Sequence, residues 1–139
     1  MNQPTFEVTP IGTVRSPLTD LAAAPKQGDE GAPEAWLEFE PAVLGGLDGL
    51  EPGAQIVILT WLHRASRDVL RVHPRSDPSR PQQGVFSTRS PDRPNPIGLH
   101  RVEIVAIDGS RLRVRSLEAV DGTPVIDVKP VLTSDVGER

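Results

Sequence analysis

Short runs of alternating apolar and polar residues, broken by Gly and Pro, recur along this chain and predict strands joined by turns. Phe6 to Val14 alternates loosely and reads as an opening strand. Arg15 to Pro33 is rich in Ala, Gly, Pro and charge and reads as a long loop. Trp36 to Glu40 sets apolar against acidic positions, as a half-buried strand does. Pro41 to Leu50 predicts a short helical turn with Pro41 at its first position, where the missing N–H costs nothing. Gln55 to Leu62 is the most apolar run, and its β-branched content predicts a central strand. A short strand is expected over Val69 to Val72 and a Pro/Ser/Arg loop over Pro74 to Gln83. His100 to Ile107 and Arg111 to Ser116, separated by Asp108-Gly109, form the clearest hairpin. Asp121-Gly122 marks another turn before a strand from Val125 to Leu132. With no repeat and no break between domains, the pattern predicts a single all-β domain, a barrel or sandwich.

Composition narrows the class. A chain of 139 residues can bury a core without covalent staples. Fifteen prolines and twelve glycines suit turns better than helices. The absence of cysteine excludes disulfides and Cys-based zinc sites, and fits a reducing cytoplasm, where the chain is expected. No metal site is expected. No apolar run reaches the ~18 residues of a membrane span, and the start, MNQPTFEVTP, lacks the pattern of a signal peptide. Tyrosine is absent and aromatics total five, so any base-stacking platform is small.

The net charge of −4 is unevenly spread. His63 to Arg101 holds eight arginines and three acids, a local +5 in a chain that is otherwise −9. Such a block attracts an anionic partner or forms a solvated surface, and charge alone does not choose.

Gly84 to Gly98, GVFSTRSPDRPNPIG, is unlike a core strand. Pro91, Pro94 and Pro96 fix φ at three points and stiffen the loop. Ser87, Thr88, Ser90, Arg89, Arg93 and Asn95 crowd it with polar groups. A stiff polar loop is either a preformed ligand site, which loses less entropy on binding, or a rigid connector.

The run TRSPDRPNPIG, followed by LEAVDGTPVIDVKP (Leu117 to Pro130), resembles the TsaA-like family. IGTVRSP (Ile11 to Pro17), PKQ (Pro25 to Gln27) and WLHR (Trp61 to Arg64) fall in the family's order, and the match spans residues 6–135 as one domain. The family's best-known members methylate N6 of adenosine 37 in tRNA. The resemblance implies a single small closed β-barrel that binds S-adenosyl-L-methionine without a Rossmann fold; the chain has no Gly-x-Gly-x-x-Gly after a strand. It also implies a homodimer with the cofactor near the subunit interface. Family cofactor contacts fall on Pro25, Lys26, Gln27, His63, Arg64, Arg89, Leu99, Asp121, Gly122, Thr123 and Pro124. Lys26 stands where the family often has arginine, keeping the charge without the paired donors.

Under that resemblance Arg89 and Lys26 pair with the methionine carboxylate, and His63 touches adenine or ribose. Arg93 and Asn95 either hold their own loop or meet the ligand. Arg67, Arg71, Arg75 and Arg80 are expected to contact tRNA phosphates. Asp121, Asp127 and Glu118 are candidates for a general base by position only. Methyl transfer needs donor and acceptor in line, so positioning is expected to dominate with no single carboxylate essential. Two other functions remain open: a methyltransferase with a small-molecule acceptor, and a non-catalytic S-adenosyl-L-methionine-binding module. Several longer family members carry a C-terminal extension, whereas this sequence stops soon after the DGTP strand.

Overall fold

The computed structural model describes residues 3–19 and 32–132. Eight strands make up its framework: β1 (Gly12–Arg15), β2 (Ala35–Phe39), β3 (Gln55–Trp61), β4 (Arg71–Val72), β5 (Gln83–Gly84), β6 (Ile97–Asp108), β7 (Arg111–Arg115) and β8 (Pro124–Pro130). Between them lie 3-10 helices at Pro41–Leu47, Pro74–Ser76 and Val85–Ser87. The all-β expectation and the Pro41-led turn are borne out. Six strands hydrogen-bond in the cyclic order β1-β2-β7-β6-β3-β8, all neighbours antiparallel, with β8 meeting β1 again through Gly12↔Val125 and Thr13↔Pro124. β4 and β5 pair only with each other and form a separate small arm.

One face of each main strand points into the ring. Val14, Leu37, Ile56, Ile58, Val102, Ile104, Leu112, Val114 and Val125 are buried there. The alternation that predicts β2 and β3 is this in–out division: Ala35, Leu37 and Phe39, then Ile56, Ile58 and Thr60, face inward. Gly12 is needed where β1 crosses β2, because a Cβ there would stand 2.5 Å from the Glu38 carbonyl oxygen.

The opening strand is shorter than expected. Pairing begins at Gly12, and Phe6 and Val8 are exposed. Pro4 and Pro10 flank that stretch without N–H groups, and among the described residues no strand pairs with it. β6 begins three residues earlier than expected, so Ile97, Gly98 and Leu99 are strand and not loop. The short strand after Val69 pairs with Gln83–Gly84, which the sequence pattern placed at the end of a loop.

Two register shifts break the alternation. On β8, Thr60 pairs with Val125 and Leu59 with Asp127, so Ile126 is the extra residue of a bulge. Val125 is buried and Val128 packs against the same core, although they stand three apart. On β6, Val105 is skipped between Ile104↔Val114 and Ala106↔Arg113. That bulge is why both faces of this strand read as partly apolar.

Candidate ligand-binding site

A cavity of about 950 Å³ opens where the end of β3, the start of β6, the Glu118–Val120 segment and the β4–β5 arm converge. Leu59, Phe86, Ile97 and Leu99 provide apolar wall. Phe86, Ile97 and Leu99 are 79%, 43% and 49% exposed, an unusual state for side chains that size unless something covers them.

The Pro-rich loop is built from its own polar groups. The Arg93 guanidinium reaches back to donate to the carbonyls of Val85 and Thr88, and its backbone N–H donates to Ser66. The Thr88 hydroxyl donates to Val85 and accepts from the Ser90 N–H. The Asp92 carboxylate accepts from the Ser66 N–H at 2.8 Å. Arg67 donates to the Pro94 carbonyl and to Asn95 Oδ1, and lies 5.2 Å from the centre of the Trp61 ring. Arg93 and Asn95 thus hold the loop. Arg89, beside them on the cavity wall, has no hydrogen-bond or ion-pair partner among the described residues.

On the inner side, His100 is 5% exposed and hydrogen-bonded at both ring nitrogens. Nδ1 lies 2.5 Å from Glu118 Oε1 and Nε2 lies 2.7 Å from Thr60 Oγ1. Gly98 lets the three approach: a Cβ there would collide with Thr60 Oγ1 and lie 2.7 Å from His100 Nε2. His100 and Glu118 both line the cavity.

The structure gathers some of the expected site residues and separates others. His63, Arg64, Arg75, Arg89, Leu99, Glu118 and Thr123 line the cavity. Arg64 also donates to the Thr19 carbonyl. Asp121, Gly122 and Pro124 sit behind the wall. Asp121 accepts from the Ser16 N–H, Gly122 (φ 84°) donates to the Val14 carbonyl, and the Thr123 hydroxyl donates to Val120. Asp127 is on β8, away from the cavity, and pairs with Lys129 at 3.5 Å. Arg71 and Arg80 are exposed on the arm, and Arg67 is committed to the loop. Pro25, Lys26 and Gln27 lie outside the described residues.

His100, Thr60 and Gly98 were not among the expected site residues. The signal was available: Gly98 and His100 share the inward phase of Val102 and Ile104, so a polar ring faces a core that needs partners for it. Among the described residues, no group of three or more His, Cys, Asp or Glu side chains is placed to hold a metal ion. No helix there is long and apolar enough to cross a membrane.

The structure is a ring of antiparallel strands with a cavity walled in part by apolar side chains, a Pro-rich rim, and an arginine, Arg89, without a partner among the described residues. The chain belongs to the tRNA-methyltransferase O N-terminal domain family, whose sequence model matches residues 13–135. It is 48% identical over 130 residues to a probable S-adenosyl-L-methionine-binding protein of Methanothermobacter thermautotrophicus, covering 94% of this chain and 93% of that one. It is 45% identical over 120 residues to an S-adenosyl-L-methionine-binding protein of Archaeoglobus fulgidus, covering 86% of this chain and 85% of the relative. A crystal structure of TrmO from Pseudomonas aeruginosa superposes with a TM-score of 0.73 at 31% identity, covering 96% of this chain. The chain spans 62% of that TrmO chain's length.

Proposed function

We propose that this chain binds S-adenosyl-L-methionine in the cavity and transfers its methyl group to N6 of adenosine 37, or of threonylcarbamoyl-adenosine 37, in tRNA. The observation that carries the reading is the unpartnered Arg89 on the wall of a cavity whose other side is apolar. About 950 Å³ falls within the range of sites for ligands of this size. Leu59, Phe86, Ile97 and Leu99 suit the adenine ring, and Arg89 suits the methionine carboxylate through its paired donors. Of the lining residues, we assign His63 and Thr123 to the ribose or adenine edges. The names of the relatives support the ligand, and the family supports tRNA as acceptor.

When bound, the cofactor supplies an activated methyl on a positively charged sulfur. The protein's part is to hold the acceptor in line with it and to exclude water, and proximity of this kind supplies several kcal/mol. The loop locked by Arg93 and Arg67 gives a wall that needs little reordering. Pro25, Lys26 and Gln27 belong to the same reading as cofactor contacts.

The ring of strands supports the family's small closed barrel, residues 6–135 forming one domain. The family's homodimer, with the cofactor near the subunit interface and at work in the cytoplasm, belongs to the same reading. Arg71, Arg75 and Arg80 then face tRNA phosphates, and binding weakens steeply with salt. Replacing Arg71 and Arg80 flattens that slope; an unchanged slope removes them from the interface.

One observation favours a second reading. The Methanothermobacter relative matches nearly end to end and is named for binding alone, whereas the TrmO chain is much longer. Incubation with methyl-labelled S-adenosyl-L-methionine and total tRNA separates the possibilities. Label in adenosine N6 supports transfer to tRNA; label only in a low-molecular-weight fraction supports a small acceptor; binding without transfer supports a module that only binds.

A further inference from the structure

We propose that Glu118 is the group that takes the acceptor's proton during methyl transfer, with His100 as its positioning residue and Thr60 as the lock on the His100 ring. This rests on the methyl-transfer reading above and departs from the expectation that no single carboxylate is essential. Sequence position alone left Asp121, Asp127 and Glu118 level, and the structure separates them. The Asp121 carboxylate is engaged by the Ser16 N–H behind the wall. Asp127 accepts from its neighbour's N–H, pairs with Lys129 and stands on another part of β8. Glu118 lines the cavity, its side chain 19% exposed against 4% for His100.

The geometry sets the roles. A carboxylate only accepts, so His100 Nδ1–H is the donor in the 2.5 Å contact with Glu118 Oε1. In the neutral Nδ1–H tautomer that the proposal assigns, Nε2 accepts from the Thr60 hydroxyl at 2.7 Å. Thr60 is fully buried beside Gly98, and the His100 ring is held between its two partners. Glu118 is thereby held with its carboxyl group at the cavity wall. An acceptor nitrogen bearing a hydrogen cannot end neutral after methylation unless that proton leaves. The nitrogen lone pair forms the new bond to carbon while the carbon–sulfur pair returns to sulfur. The nitrogen–hydrogen pair stays on nitrogen, and Glu118 goes from carboxylate to carboxylic acid. The proton passes from Glu118 to water at the cavity mouth.

Glu118→Gln keeps the shape and the oxygen that accepts from His100 but is far too weak a base. With tRNA as acceptor, kcat is expected to fall about 100-fold, the usual scale for a general base. S-adenosyl-L-methionine affinity measured by calorimetry is expected to hold within about twofold. His100→Asn, which retains a donor near Nδ1, should recover more activity than His100→Ala. A kcat for Glu118→Gln within about threefold of wild type overturns the assignment, as does equal loss of cofactor affinity. The nitrogen-15 spectrum of His100 tests the pair without turnover: a proton on Nδ1 and a bare Nε2 are expected, and the reverse overturns it. If the wild-type protein moves no label to tRNA, the acceptor proposed above falls, and the ring spectrum still decides the Glu118–His100 pair.

Discussion

Replacing Gly98 by alanine perturbs the most tightly packed point of the site. The added Cβ would overlap Thr60 Oγ1 and stand 2.7 Å from His100 Nε2 and 3.1 Å from Leu62 Cδ2. Leu62 can shift, but Thr60 and His100 are buried and bonded to each other. Overpacking of this kind costs ~1–3 kcal/mol. Separating Thr60 from His100 adds about 1 kcal/mol for the lost hydrogen bond. The expected destabilisation is therefore about 3 kcal/mol, near 10 °C in Tm for a domain of this size. Calorimetry reads the loss, and Gly46→Ala is the matched control: its Cβ meets nothing within 4 Å, so its Tm should barely move. If Thr60 Oγ1 is the obstacle, Gly98→Ala and Thr60→Ala should be non-additive, the double variant recovering roughly 1 kcal/mol or more of the summed cost. Additive losses, or a Gly98→Ala protein as stable as wild type, would refute the crowding argument.

Arg89→Ala should leave Tm nearly unchanged, since no partner among the described residues is lost, and weaken S-adenosyl-L-methionine about tenfold, the value of one exposed charge-assisted contact. Methylthioadenosine, which lacks the carboxylate, should bind both proteins alike; parallel losses for the two ligands would place Arg89 elsewhere. Arg93→Ala removes the bonds to Val85 and Thr88 and should raise amide exchange across the 85–93 loop while weakening ligand binding. Arg93→Lys should restore protection only in part, because it lacks the second nitrogen that also reaches Thr88, and full protection would contradict the clamp. Asp77 is held below the ordinary carboxylate range first by the Ser79 hydroxyl, then by the Ser79 N–H. A lowered native pKa stabilises above the ordinary range and is lost as pH falls through the native value. Ser79→Ala should therefore move the Asp77 carbon-13 titration upward; an unmoved curve would show the hydroxyl to be irrelevant.

Much of the fold was legible because one periodicity governed it. β2, β3 and the β6–β7 hairpin followed from alternation and from Asp108-Gly109, where Gly109 takes a positive φ of 59°. The bulges were not legible, since skipping Val105 or Ile126 depends on how a partner strand pairs. The first part of Phe6 to Val14 misled, because Phe6 and Val8 lie exposed ahead of the paired strand. In the site, the stiff loop was readable from Pro91, Pro94 and Pro96. The division of labour between Arg89 and Arg93 was not, because both are arginines in one loop and only the carbonyls of Val85 and Thr88 distinguish them. His100 was overlooked because its partners, Thr60 and Glu118, lie 40 and 18 residues away.

The junction between β1 and β8 has a mechanical consequence. It rests on two residue pairs, and one of its members, Pro124, has no N–H to contribute. Its remaining bonds run from Ile11 to Val125, from Val14 to Thr123 and from Gly122 to Val14. Thr123 is also part of the cavity wall. The weakest seam of the ring and one edge of the ligand site therefore share a residue. Slow opening at this seam would widen the site from behind, and a ligand that grips Thr123 would act as a rivet across it. Bound ligand should then slow amide exchange at Val14 and Val125 more than at Leu112 or Ile104, on β7 and β6 across the ring.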